Sequence, residues 1–78
     1  MTNLEKYNNV FIEATNVEES ELAGLAYRSV ASWDSVGHMG LMAMLEDVFN
    51  IMLDTDDIID FSSYEKGKEI MNKYGVEI

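Results

Sequence analysis

The chain has 78 residues and a formal net charge of −10, with no cysteine and no proline. A domain this small buries only about 60–65% of the surface its unfolded chain exposes, enough for one modest core and no deep enzyme cleft. Without cysteine there is no disulfide framework, no thiolate metal site and no thiol chemistry by the protein itself. The acidic balance argues against nucleic acid and against anionic membrane surfaces, because both need clustered Lys and Arg, and it favours basic protein partners. No apolar run is long enough for a bilayer, and Met1-Thr2-Asn3-Leu4-Glu5 lacks the pattern of a signal peptide. A cytoplasmic monomer is expected.

Apolar residues recur at helical spacing, which reads as an all-α single domain over residues 1–78. The first helix is expected from about Asn3 to Ala14, with Thr2 and Glu5 spaced as a capping box and Leu4, Tyr7, Phe11 and Ala14 on one face. Asn16 to Trp33 reads as a long connection with room for one short helical turn, pinned by Leu22, Leu25, Tyr27 and Val30. A second long helix should begin at Asp34 or Ser35 and end near Asn50, with Asp34 as N-cap. Leu41, Leu45, Val48 and Met52 form its core stripe, widened by Met42 and Phe49. Val36, Met39 and Ala43 form a strip that the core does not claim. A short helix is expected at Asp56 to Phe61, with Asp56 and Asp57 in a first turn where the helix dipole favours negative charge. Ser62 and Glu65 have capping-box spacing for a last helix, with Lys73 in its final turn and Gly75 as the residue after its cap.

The chemical candidate is Asp34-Ser35-Val36. A serine at a helix start is exposed, rigidly held and close to free backbone N–H groups, which suits an attached phosphodiester. Trp33-Asp34-Ser35-Val36-Gly37-His38-Met39, followed by Leu45-Glu46-Asp47-Val48-Phe49, resembles the acyl carrier protein family. That family shows Asp-Ser and then Leu, Val or Ile at the head of its second helix, and a Leu-Glu-acidic-x-Phe run further along. The amphipathic first helix, long first loop, short third helix and closing helix extend the resemblance over nearly the whole chain.

The resemblance implies a four-helix bundle with a long first loop and a short third helix. It also implies that a phosphopantetheinyl transferase, using coenzyme A, joins 4'-phosphopantetheine to Ser35. The arm's thiol then holds acyl or aminoacyl intermediates as thioesters for delivery to partner enzymes, so the chain is a substrate carrier and not itself an enzyme. Asp34 carries over as the acidic residue before the serine. Glu46 and Asp47 match acidic positions that dock on basic patches of loading and processing enzymes, and Val36 and Met39 add an apolar contact. Fatty-acid carriers often place acids two and five residues after the serine, where this chain has Gly37 and Gly40. That departure points toward specialised pathways such as polysaccharide or secondary-metabolite synthesis. Each glycine is also expected to cost about 1 kcal/mol relative to alanine in an exposed helix interior.

Two other readings are weaker. His38 lies one turn after Ser35, but a Ser–His dyad needs a third group orienting the base, and Asp34 is badly placed for that. A partly buried polar role or a partner contact suits His38 better. Asp54, Asp56, Asp57 and Asp60 invite a calcium loop, yet the sixth position counted from Asp54 is Ile59 and not the required glycine. The alternative function is thus an acidic helical interaction module, or a weak calcium-binding one, with no prosthetic group.

Overall fold

The computed structural model describes every residue from Met1 to Ile78. Four α-helices form: α1 at Asn3–Thr15, α2 at Ser35–Phe49, α3 at Thr55–Asp60 and α4 at Tyr64–Lys73. A 3-10 helix, Glu19–Gly24, interrupts the long connection between α1 and α2. There is no strand, only an isolated antiparallel bridge between Ala26 and Ser63. No helix is long and apolar enough to cross a membrane.

Local chemistry explains the helix ends. Thr2 and Glu5 exchange side-chain and backbone bonds at 2.9 and 3.1 Å, which is the expected capping box. Asn16 and Asn50 close α1 and α2 in the left-handed conformation, at φ 55° and 53°. At the end of α4, Gly75 takes φ +82°, its N–H donates to Asn72 O, and the Val76 N–H reaches back to Met71 O. That pattern is a Schellman cap, and it returns Val76 to the core. The N-cap of α4 falls one residue later than the sequence suggests. Ser63 accepts from the Lys66 N–H, while the Ser62 carbonyl is drawn to the Tyr27 N–H.

The core is aromatic at its centre. Phe11 lies within 5.5 Å of the rings of Tyr7, Trp33 and Tyr64, and Phe61 stacks on it at 6.1 Å. Burial pushes the Tyr7 phenol well above its ordinary range, and its hydroxyl donates to the Tyr64 carbonyl. Gly67 packs so closely that an added Cβ would fall 2.2 Å from both the Tyr7 hydroxyl and Phe61. In the first loop Leu22 and Leu25 are buried and Val30 packs against the core, as expected, while Tyr27 stays exposed.

Some side chains fall elsewhere than periodicity places them. Val10, not Leu4, completes the buried face of α1. The core face of α2 runs from Leu41 and Met42 through Leu45 to half-buried Phe49, and the left-handed turn at Asn50 then redirects the chain and leaves Met52 83% exposed. Val48 is exposed as well.

The largest difference is Asp57. It is not a solvated first-turn acid but is buried, with its carboxylate accepting from Lys73 Nζ at 2.6 Å and from the Tyr74 hydroxyl. Tyr74 in turn accepts the Asp54 N–H, so one network fastens the start of α3 to the end of α4. The hydrogen bonds from Lys73 and Tyr74 hold the Asp57 pKa below its ordinary 3.8. Between those two values the unfolded chain binds more protons than the folded one, so stability rises with pH. The contribution is complete above the unfolded value and drains away as pH falls through the folded one. Asp57→Asn should therefore melt lower than wild type at neutral pH, and it should lose that part of the acid-unfolding transition. Asp56→Asn, at an exposed position, should do neither. Thermal melts of the three proteins from neutral pH downward check this.

Candidate functional site

Residues 28–34 set the position of the serine. Trp33 has no exposed surface, and its backbone carbonyl accepts the Arg28 N–H at 2.8 Å. Arg28 reaches that bond by adopting φ 66°, a left-handed conformation costly for a side chain of its size. Ser32 Oγ donates to the Thr15 carbonyl at 2.6 Å, which ties the loop to the end of α1. The chain then enters α2 at Asp34, whose carboxylate accepts the Gly37 N–H at 2.8 Å and whose carbonyl accepts the His38 N–H. Ser35 is the first residue of α2 and is exposed. Ser29, Ser32 and Ser63 commit their hydroxyls to backbone partners, and Ser35 has no such commitment.

Beside Ser35 lies a cleft of about 390 Å³ between α2 and α3. Tyr27, His38, Met39, Ile58, Ile59 and Phe61 supply most of its wall, and Ser35 and Ser62 complete the lining. The Ala26–Ser63 bridge places Tyr27 and Ser62 in that wall, through the bonds Tyr27 N–H to Ser62 O and Tyr64 N–H to Leu25 O.

His38 is half-buried, and both of its ring nitrogens are used. The Trp33 indole N–H donates to Nδ1 at 2.9 Å, and Nε2 lies 2.7 Å from the Ile58 carbonyl. A nitrogen that accepts from an indole carries no proton, so His38 is the neutral Nε2–H tautomer and donates to Ile58 O. Neither nitrogen is free to take a proton from Ser35, and a Ser–His dyad is not formed.

The other candidates separate. Val36 and Met39 are 80% and 58% exposed, and with exposed Ile59 across the cleft they leave an apolar surface around the serine. Asp47 is exposed, but Glu46 is half-buried and its carboxylate accepts the Leu53 N–H at 2.8 Å. Glu46 therefore shapes the turn after α2. Asp54, Asp56 and Asp60 face solvent while Asp57 turns inward, and no three acidic or histidine side chains converge as metal ligands would. No protein-family model matches this chain, and no curated protein matches it closely enough to count as a relative.

Spacing in the sequence already puts Asp34 at the cap of α2, Ser35 at its start and Val36 and Met39 outside the core, but it misses the Trp33–His38–Ile58 chain. A tryptophan and the single histidine placed on either side of a helix cap are the only hint, and spacing alone does not say which carbonyl the far nitrogen meets. It also misjudges Gly37. A Cβ there would lie 2.0 Å from the Ser32 carbonyl oxygen, a backbone atom that the Ser32–Thr15 bond keeps from moving aside. Gly37 is thus a requirement for close approach and not a missing charge, whereas Gly40 has nothing within 4 Å. Gly37→Ala should destabilise by about 1–3 kcal/mol, as overpacking does. Gly40→Ala should stabilise by up to ~1 kcal/mol through helix propensity. Urea unfolding of the two variants reads the opposite signs.

Proposed function

We propose that the chain is an acyl-carrier-type protein, a four-helix carrier of that fold whose Ser35 is the attachment point for 4'-phosphopantetheine. The observation that carries the reading is the setting of Ser35. It is an exposed, uncommitted hydroxyl at the first position of a 15-residue helix, fixed by Asp34 on one side and bordered by an apolar cleft on the other. Free N–H groups of a first helical turn favour a phosphodiester there. The side chains present fit such an arm. Nothing within the cap competes for the hydroxyl, and the cleft offers apolar contact next to the attachment atom.

In the loading step the Ser35 hydroxyl gives its proton to a base of the transferase, its Oγ forms a bond to the pantetheine-side phosphorus, and the pyrophosphate linkage of coenzyme A breaks with adenosine 3',5'-bisphosphate as the leaving group. A transferase provides the catalysis. When attached, the arm supplies a terminal thiol that carries an acyl or aminoacyl group. The rest falls to the chain's own residues: Asp34 holds the helix start, Val36, Met39 and Ile59 present an apolar contact to partners, and exposed Asp47 offers charge to basic patches. Fatty-acid synthesis and specialised biosynthesis both use such carriers, and Gly40, which nothing crowds, leaves uncharged a position that fatty-acid partners commonly read.

Mass spectrometry after incubation with coenzyme A, Mg²⁺ and a broad-specificity phosphopantetheinyl transferase tests the reading. Wild type should gain one phosphopantetheine and Ser35→Ala none, with the other exposed serines, Ser20, Ser29, Ser32 and Ser62, unmodified. A labelled Ser35→Ala protein, or a wild type that stays unmodified, sinks it. For docking, Asp47→Lys should slow modification at low salt and converge with wild type as salt is raised, because exposed charges are screened beyond about 8–10 Å near physiological ionic strength. Glu46→Lys is the wrong probe, since it breaks the bond to Leu53.

A further inference from the structure

α3 has six residues, too few for a helix to hold its own shape in water, and only Asp57 of them is buried. Its position is decided by what ties it down at its two sides. Toward α4 the tie is the Asp57–Lys73–Tyr74 network. Toward α2 the polar tie is a single hydrogen bond, from His38 Nε2–H to the Ile58 carbonyl. That bond spans the cleft beside Ser35, with Met39 on the α2 side and Ile58 and Ile59 on the α3 side.

The imidazole is held in place for this contact. The Trp33 indole lies nearly parallel to it, with ring centroids 6.1 Å apart and planes 14° from parallel, and its N–H fixes Nδ1 as an acceptor. Phe61 and Tyr27 close the remaining sides edge-on at 6.3 and 5.5 Å. Trp33 itself is wholly buried, so the relay runs from the core, through one histidine, to the backbone of the least buried helix. A carbonyl that loses this donor can turn to water, and α3 is then free to pivot about the Asp57 anchor.

We propose that His38 is a positioning residue, a latch that keeps α3 closed over the cleft beside Ser35 and whose release opens the cleft to an apolar group. The assignment of that group to cargo on Ser35 rests on the carrier reading, but the latch itself does not. Two variants divide the relay. His38→Gln keeps an N–H donor at the reach of Nε2, while His38→Asn keeps only an acceptor at the position of Nδ1. His38→Ala keeps neither.

The test uses the unmodified full chain and an environment-sensitive apolar dye, alongside amide hydrogen exchange of α3. His38→Ala and His38→Asn should raise exchange at Ile58 to Phe61 and strengthen dye binding by roughly two- to tenfold, the value of one net hydrogen bond. His38→Gln should stay near wild type on both. Exchange in α1 and α4 should be unchanged in every variant, which separates unlatching from general unfolding. In wild type, nitrogen NMR should show the Nε2–H tautomer. The latch is overturned if His38→Asn behaves as wild type, if exchange rises equally in all helices, or if the Nδ1–H tautomer is found. If the latch holds and Ser35 takes no arm, the carrier reading alone fails. If Ser35 is modified and the variants leave α3 unmoved, His38 is only a packing residue and the carrier reading stands.

Discussion

Burial of the Trp33 side chain against Phe11 fixes where Ser35 can be. The indole is the largest side chain with no exposure, and its ring meets Phe11 edge-on at 5.5 Å. Moving it outward would expose more apolar surface than any other single residue of the loop, at about 25 cal/mol per Å². A buried indole also needs a partner for its N–H, and His38 Nδ1 supplies one. That choice dictates the tautomer, the tautomer dictates a donor at Nε2, and the donor finds Ile58 O. The backbone on either side is constrained in the same stroke. Arg28 pairs with the Trp33 carbonyl, Ser32 ties to α1, and the next residue, Asp34, is already the cap of α2. An exposed serine thereby acquires a fixed position although it makes no side-chain bond itself.

Features that depend on near neighbours in sequence are legible without coordinates. Thr2 with Glu5, Asp34 at the head of α2, Lys73 in the last turn of α4 and Gly75 after it are all set by backbone groups within a few residues, so composition and spacing suffice. Features that depend on what arrives from elsewhere in the chain are not. Asp56 and Asp57 are equivalent on paper, and only the approach of Lys73 and Tyr74 separates them. Gly37 and Gly40 are both mid-helix glycines, and only the Ser32 carbonyl tells them apart. Glu46 and Asp47 are adjacent acids, and only the path of the chain back to Leu53 takes one inward. Periodicity failed at Met52 for a related reason: it assumes that the helix continues to face the core, and the left-handed turn at Asn50 ends that relation. Val48 lies within α2, before that turn, and is exposed while Phe49 beside it packs against the core.

The charge distribution has the same division. Between Ser29 and Glu65 the chain carries acids and no Lys or Arg. The single cation that answers the acids of this stretch deep in the fold is Lys73, from α4, and its own head group stays largely exposed. A carboxylate that is buried but still touches a solvated ammonium and a phenol is satisfied without full desolvation of the pair, which avoids the larger penalty of a wholly buried ion pair. Apart from Glu46, which is half-buried on the Leu53 N–H, the remaining acids of the stretch face water. Under the proposed carrier reading, an acidic surface interrupted by exposed Val36, Met39 and Ile59 suits a partner that brings both positive charge and apolar side chains.

A domain this small has little polar chemistry to spare. Every buried side-chain nitrogen and oxygen has a hydrogen-bond partner, and the groups that could act as acid or base near Ser35 are already engaged. His38 is held at both nitrogens and Asp34 caps the helix. Activating the serine within this site would mean releasing one of these ties. Freeing His38 would loosen α3 and leave the Trp33 indole unpaired, and freeing Asp34 would fray the turn that presents the hydroxyl. The constraints that hold Ser35 in place are therefore the same ones that keep its neighbours from attacking it. Under the proposed carrier reading, such a site presents a hydroxyl to another protein's catalytic groups, and the mobile part of the chemistry comes from outside the fold.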